Sequence, residues 1–207
     1  MQNVNLSPQR PRALEFGIYR DGDNNLDESQ SNVLRQALET SAQDPSIEYN
    51  VQDTTSHGAL RQAQGDSVAQ GDTLKTFSYT IRDGTIKNAS KDAAHDMSSE
   101  NNLARFVADT LDRAQTTGAK QAWIDLVDHG AGDGGGLEAD STRGVMSMPN
   151  IAKAIGDGVA LHAQEHPEDA NRNVDGVVAN QCLMASMGFV DALSRANVRY
   201  LAASQET

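Results

Sequence analysis

Cysteine occurs once in the 207 residues, at Cys182. A single thiol excludes an intrachain disulfide and leaves the redox compartment open. Aromatic residues make up only 4% of the chain, and mean hydropathy is −0.55, so the apolar side chains are concentrated in a few segments. No run approaches the roughly 18–20 apolar residues that a membrane span requires. Basic residues are also scarce. The 17 Lys and Arg stand against 29 Asp and Glu, giving a net charge of −12 and a pI of about 4.7. Such a chain lacks the basic footprint that holds nucleic acid or an anionic membrane surface. An acidic surface suits basic peptides, although its commoner meaning is solubility. The opening Met1-Gln2-Asn3-Val4-Asn5-Leu6-Ser7-Pro8 has no hydrophobic signal region. The expectation is a chain that stays in the cytoplasm or is exported by another route.

What is present alternates between strand and helix signals. A polar leader, residues 1–13, precedes a single domain over 14–207. Leu14 to Tyr19 reads as a first strand, stopped by Asp21-Gly22-Asp23-Asn24-Asn25, and a helix is expected from about Glu28 to Ala42. Ile47 to Val51 reads as a strand, and Thr54 to Asp72 as exposed loop. Asp83-Gly84 between Thr76–Ile81 and Thr85–Lys87 predicts a tight hairpin. Leu103, Phe106, Val107, Thr110, Leu111 and Ala114 recur at helical spacing between a Ser98 or Ser99 cap and Gly118. Ala122 to Val127, Val174 to Ala179 and Val198 to Ala203 are further strands. Helices are expected from Ser147-Met148-Pro149 and over Leu183 to Arg195. The pattern implies a mostly parallel sheet covered on both faces.

Two chemistry-bearing residues fall at strand ends. Asp128-His129-Gly130 closes one apolar run, and Cys182 closes another, Val177-Val178-Ala179-Asn180-Gln181. Parallel sheets place ligands outside the carboxyl ends of their strands, where a thiol and an imidazole make the parts of a cysteine hydrolase. Taken singly, each residue has a plainer explanation. Free cysteines are often just small buried hydrophobes, and His129 could cap a turn or ligate a metal. No second histidine stands at a zinc-site spacing from it. His162 and His166 share a helix face but lack the glutamate of an HExxH pattern, and read as a solvated helix end before Pro167. His57 and His95 fall in polar, exposed segments. Asp21-x-Asp23-x-Asn25-x-Asp27 imitates a calcium loop, but Leu26 occupies the glycine position and Asn32 the glutamate position. A turn-forming Asx cluster that caps the next helix fits better. The run Gly130 to Gly136 lacks the Lys-Ser/Thr ending of a phosphate loop and reads as a flexible cleft wall beside the histidine.

Four short segments occur together in a telling order: Tyr19-Arg20-Asp21-Gly22-Asp23-Asn24-Asn25-Leu26, Asp128-His129-Gly130, Cys182-Leu183-Met184-Ala185 and Ala203-Ser204-Gln205-Glu206-Thr207. Their order and placement resemble the clostripain family of cysteine peptidases, over about Leu14 to Thr207. The resemblance implies a caspase-like three-layer α/β/α sandwich and peptide hydrolysis through a thioester. Cys182 would be the nucleophile and His129 its proton donor, with an oxyanion hole from the N–H groups of Gly130 and Cys182. It also implies cleavage after Arg or Lys, and maturation by self-cleavage between the histidine and cysteine strands, for which Arg143 is the candidate. Calcium-dependent members make calcium possible, with no site located; no other cofactor is required. The sequence departs from the family in having Asn180 two positions before the cysteine, where an acid is usual. That leaves Asn180, Ser204 and Glu206 as the substrate-binding candidates. The domain stops before the family's pocket is complete, so a C-terminal segment or a second chain would finish the fold. Two other activities stay open: a catalytically silent domain that binds a peptide or partner protein, and a peptide ligase using the same dyad.

Overall fold

The computed structural model describes residues 12–55 and 74–206. Its centre is a seven-stranded sheet. β1 (Leu14–Gly22) lies beside β2 (Ile47–Thr55), which leads outward to β3 (Lys75–Arg82) and β4 (Thr85–Ala93). On its other side β1 pairs with β5 (Gln121–Val127), followed by β8 (Gly176–Asn180) and β9 (Tyr200–Ala203). The pairs β1–β2, β1–β5, β5–β8 and β8–β9 are parallel; only β2–β3 and β3–β4 are antiparallel. The sheet is mostly parallel, and its order reverses around β1. This reversal opens a crevice at the carboxyl ends of β1 and β5. A separate hairpin pairs β6 (Gly136–Ala139) with β7 (Gly144–Met146).

Side-chain periodicity decides which face each helix covers. α2 (Glu100–Thr117), α3 (Met148–Glu165) and α4 (Met187–Arg195) pack on one face. Leu103, Phe106, Val107 and Leu111 of α2 bury against Ile124, Leu126 and Val177, at roughly 1.5–3 kcal/mol for each large side chain. Gly118 ends α2 at φ +69°, a left-handed position that glycine adopts without a Cβ penalty. Ser147 caps α3 by accepting from the Asn150 N–H. The other face carries α1 (Asn32–Gln43), whose Leu34 and Ala37 meet Val51, Tyr79 and Ile81.

Helices lie on both faces as expected, although the cover is uneven. Among the described residues, no helix lies over the β8–β9 half on the α1 side. Trp123 and Tyr200 stack there at 5.8 Å with 5° between their planes, and Tyr200 is 53% exposed. Other boundaries also shift. Thr54 and Thr55 are buried strand residues, not loop. The polar stretch around Glu138 to Gly144 is a hairpin. α4 begins at Met187 and not Leu183, whose φ of +60° is incompatible with a right-handed helix. The Asx cluster forms turns as expected, Asp21 accepting from the Asp23 N–H at 3.0 Å, but no side chain of it caps α1. His162 is fully buried, so the helix end before Pro167 is not simply solvated. His95 is exposed, as read from the sequence, whereas His57 lies outside the described residues. No described helix is long and apolar enough to cross a membrane.

One buried charge makes a test of this packing. Asp125 points into the α1 side of β5, registered between Ile18 and Val178, and its Oδ1 has no hydrogen-bond partner. Burial pushes its carboxyl up to about 7. The folded value exceeds the unfolded one, so the folded chain binds the extra proton. This stability is present at low pH and is lost as pH rises through about 7. Glu15, Asp21 and Asp128, raised to about 7, 8 and 7 chiefly by burial, act in the same direction. Melting temperature should therefore fall between pH 5 and pH 8. Asp125→Asn should stabilise the fold at pH 8 by about 1–3 kcal/mol more than at pH 5. An equal effect at both pH values in thermal melts would contradict this reading.

Candidate active site

The carboxyl ends of β1, β5, β8 and β9 feed one edge of the sheet, and each delivers a residue singled out in the sequence. β5 ends one residue before Asp128, with His129 following, and β8 ends at Asn180, with Cys182 two positions on. The register pairs Val127 with Asn180, so the two strand ends are neighbours. A cleft of about 270 Å3 opens at this edge. Its walls include Asn180, Cys182, Ser204 and Glu206, together with Asp128 and Leu26. The three substrate-binding candidates thus share one cleft with the thiol. A larger groove of about 500 Å3 lies elsewhere, between α3 and α4.

Backbone packing fixes the histidine loop against the cysteine. A Cβ on Gly130 would sit 2.1 Å from the Cys182 carbonyl oxygen and 2.9 Å from its nitrogen. Only a hydrogen fits there, which explains a glycine after the histidine. Among the described residues, the N–H groups of Gly130 and Cys182 have no intramolecular acceptor. Leu183 follows the thiol at φ +60°, and strained backbone of this kind clusters at functional sites. The glycine-rich segment runs alongside: Gly132 approaches Leu183, and Gly134 closes a short 3-10 turn. It walls the Cys182 segment.

Cys182 is half-buried and unpaired. His129 is also half-buried, and its Nε2 bonds Asn25 Oδ1 at 2.6 Å, not the thiol. With Nε2 donating to that oxygen, Nδ1 is the nitrogen left to accept or deliver a proton. Asn25 comes from the loop after β1, and a buried ion network holds that loop. Arg20, with no exposure, pairs with Asp53 at 2.5 Å and with Asp27 at 2.7 Å, and also donates to the Asp27 carbonyl. Gln181 is buried and donates from Nε2 to the His129 carbonyl at 3.0 Å, tying the residue before the thiol to the histidine. Asp128 accepts from Asn24 Nδ2 at 2.5 Å and from the Glu138 N–H, linking the loop after β1, β5 and the β6–β7 hairpin. Burial and the neighbouring Asp128 carboxylate lift Asp21, fully buried in the same network, to about 8.

Reading the sequence did not single out Asn25, Gln181 or Asp128 for these positioning roles. Their only signal was membership of the short motifs around them. Arg143 stands apart from the cleft residues, exposed in the turn of the β6–β7 hairpin at φ +54°.

Comparison with known proteins agrees with this layout at the level of the fold. No protein-family model matches the chain, and no curated protein matches it in sequence. Solved structures do match. A secreted C11 cysteine protease from Bacteroides thetaiotaomicron superposes with a TM-score of 0.60 at 14% identity, over 95% of this chain and 53% of that one. The secreted C11 protease of the same organism, bound to an irreversible peptide inhibitor, gives 0.57 at 12% identity, covering 91% and 47%. An inactive zymogen C11 protease from Parabacteroides distasonis gives 0.56 at 15% identity, covering 95% and 49%. The chain has the caspase-like α/β/α fold of these clostripain-family proteases, and it spans about half their length.

Proposed function

We propose that this chain carries the catalytic centre of a cysteine endopeptidase. The observation that carries the reading is the seating of Gly130, the residue after His129, directly against the backbone of Cys182, whose thiol segment lines the cleft. Cys182 as thiolate attacks the scissile carbonyl, and the oxyanion forms toward the Gly130 and Cys182 amides. His129 passes a proton to the leaving amine, leaving a thioester on Cys182. Water then attacks the thioester, His129 takes up its proton, and the carboxylic acid departs, restoring the Cys182 thiolate and the protonated His129.

Glu206 is the carboxylate at the cleft suited to a basic side chain before the scissile bond, with the Asn180 amide beside it. A charge-assisted bond to Arg or Lys is roughly twice as strong as a neutral one. Reporter peptides ending in Arg or Lys should therefore turn over faster than neutral ones, and Glu206→Gln should narrow the difference. Equal turnover of basic and neutral reporters would refute basic specificity.

Self-cleavage after Arg143 belongs to the same reading. The residue is exposed, yet its turn is pinned: the Ser141 N–H and hydroxyl both donate to Asp23, and the Asp140 N–H donates to the Asp23 carbonyl. These bonds must open before the segment can lie extended in a cleft, so cutting should be slow. Mass spectrometry should find a cut after Arg143 in the wild type and none in Cys182→Ala. A single intact mass for active wild type would show that maturation is unnecessary.

The uncovered Trp123–Tyr200 face supports a further segment or a second chain completing the sheet's cover. A silent peptide-binding domain is the second reading, favoured by the Asn25 bond that occupies His129 Nε2.

A further inference from the structure

We propose that His162, His166 and Asp112 form a site for a zinc-class divalent metal, remote from the thiol. α3 starts beside the cysteine segment, where the Ser186 hydroxyl contacts Met148 Sδ at 3.4 Å. His162 comes 14 residues after Met148, about 21 Å along the helix. His162 lies in the last turn of α3 and His166 is the residue that caps its end, and their rings stack at 5.1 Å. Asp112 reaches across from α2. Its Oδ1 lies 2.5 Å from His162 Nδ1 and 3.4 Å from His166 Nε2. Candidate ligand atoms of the three residues all fall within 4.8 Å of one another.

The opposite nitrogens repeat a second pattern. His162 Nε2 faces Asp169 Oδ2 at 3.5 Å, and His166 Nδ1 faces Glu168 Oε1 at 3.2 Å. These outer carboxylates are held in turn, Asp169 by the Arg172 guanidinium and Glu168 by Gln115 Nε2 at 2.6 Å. One nitrogen of each ring turned to a shared inner point, the other to an anchored carboxylate, is how metal-binding histidines are oriented.

An orphaned atom adds independent support. His162 has no exposure, and its Nε2 has no hydrogen-bond partner. If Nδ1 carries the single ring proton toward Asp112, a bare lone pair on Nε2 faces the Asp169 carboxylate, which is unfavourable. A metal on Nδ1 moves the proton to Nε2, where Asp169 accepts it. Asp112 and His166 are 28% and 32% exposed in their side chains, which gives an entry path. It also leaves the Asp112 carboxylate room to open from 2.5 Å to the separation of about 3.3 Å between tetrahedral ligands. Two imidazoles and one carboxylate select zinc-like ions over calcium or magnesium. The bound ion would clip α2 to α3. The competing explanation is a histidinium held between Asp112 and Asp169, which would bind no metal.

Calorimetric titration of the tag-free chain with zinc chloride decides between them. Cys182→Ala is used as the background, so that the thiol offers no second site. One zinc per chain is expected, with thermal stabilisation reversed by EDTA. His166→Gln and Asp112→Asn should each weaken binding by at least about 100-fold, and Glu168→Gln by about 10–100-fold. Circular dichroism checks that each variant is folded; if either inner-ligand variant unfolds, the other carries the test. Absence of zinc uptake, or undiminished uptake by a folded inner-ligand variant, would overturn the site.

Discussion

Cys182→Ala is expected to abolish peptide turnover, leaving no more than a few per cent of wild-type kcat/KM, while the protein stays folded. The thiol is half-buried at the mouth of the cleft and bonded to nothing, so its loss removes little packing. In the proposed mechanism it supplies the atom that forms the acyl-enzyme, and no other group in the cleft can replace a thiolate near neutral pH. His129→Ala should cost nearly as much, because groups that act as a unit fail together and their losses do not add. The double variant should then be scarcely worse than either single one. Activity well above a few per cent in folded Cys182→Ala would remove the thiol from the mechanism.

Gly130→Ala should be almost as damaging, for a steric reason. The added methyl would meet the Cys182 carbonyl oxygen at 2.1 Å and its nitrogen at 2.9 Å. Those are backbone atoms, which cannot swing aside as a flexible side chain can. Either the His129 loop or the Cys182 segment must move, and the proposed reaction needs both in place. Displacing reacting groups by about 1 Å costs roughly 10²-fold in rate. Losing one oxyanion donor costs about 10²–10³-fold, so kcat/KM should fall at least a hundredfold. Overpacking at about 1–3 kcal/mol should also lower the melting temperature by several degrees. Wild-type activity and melting in Gly130→Ala would show that the loop is not seated as described.

The main elements of the sheet were legible because each is a dense apolar run ended by a turn residue. Ala122 to Val127 and Val174 to Ala179 announced β5 and β8 in this way, and their ends pointed to His129 and Cys182. The register that pairs Val127 with Asn180 was not legible, since it depends on how the intervening helix returns the chain to the sheet. The β6–β7 hairpin escaped because its strands have four and three residues and begin with glycine, too short for a period of two to show. Leu183 misled the helix boundary: it continues an apolar pattern while its backbone turns left-handed. Asn25 and Gln181 were hidden for a different reason. Polar residues that position others by long-range hydrogen bonds leave no periodic trace, and these reach across 104 and 52 positions of sequence. The pairing of Asp112 with His162, 50 positions apart, is of the same kind.

The central claim is that Cys182 is a nucleophile made reactive by His129. It is tested most directly by covalent capture with a peptide bearing a thiol-directed electrophile, read by intact mass. One adduct per chain is predicted, mapped to Cys182, formed far faster than with a simple alkylating agent of similar intrinsic reactivity, and slowed at least a hundredfold in His129→Ala. Labelling at the same rate in wild type and His129→Ala would contradict the account, because the thiol would then be merely accessible and not activated.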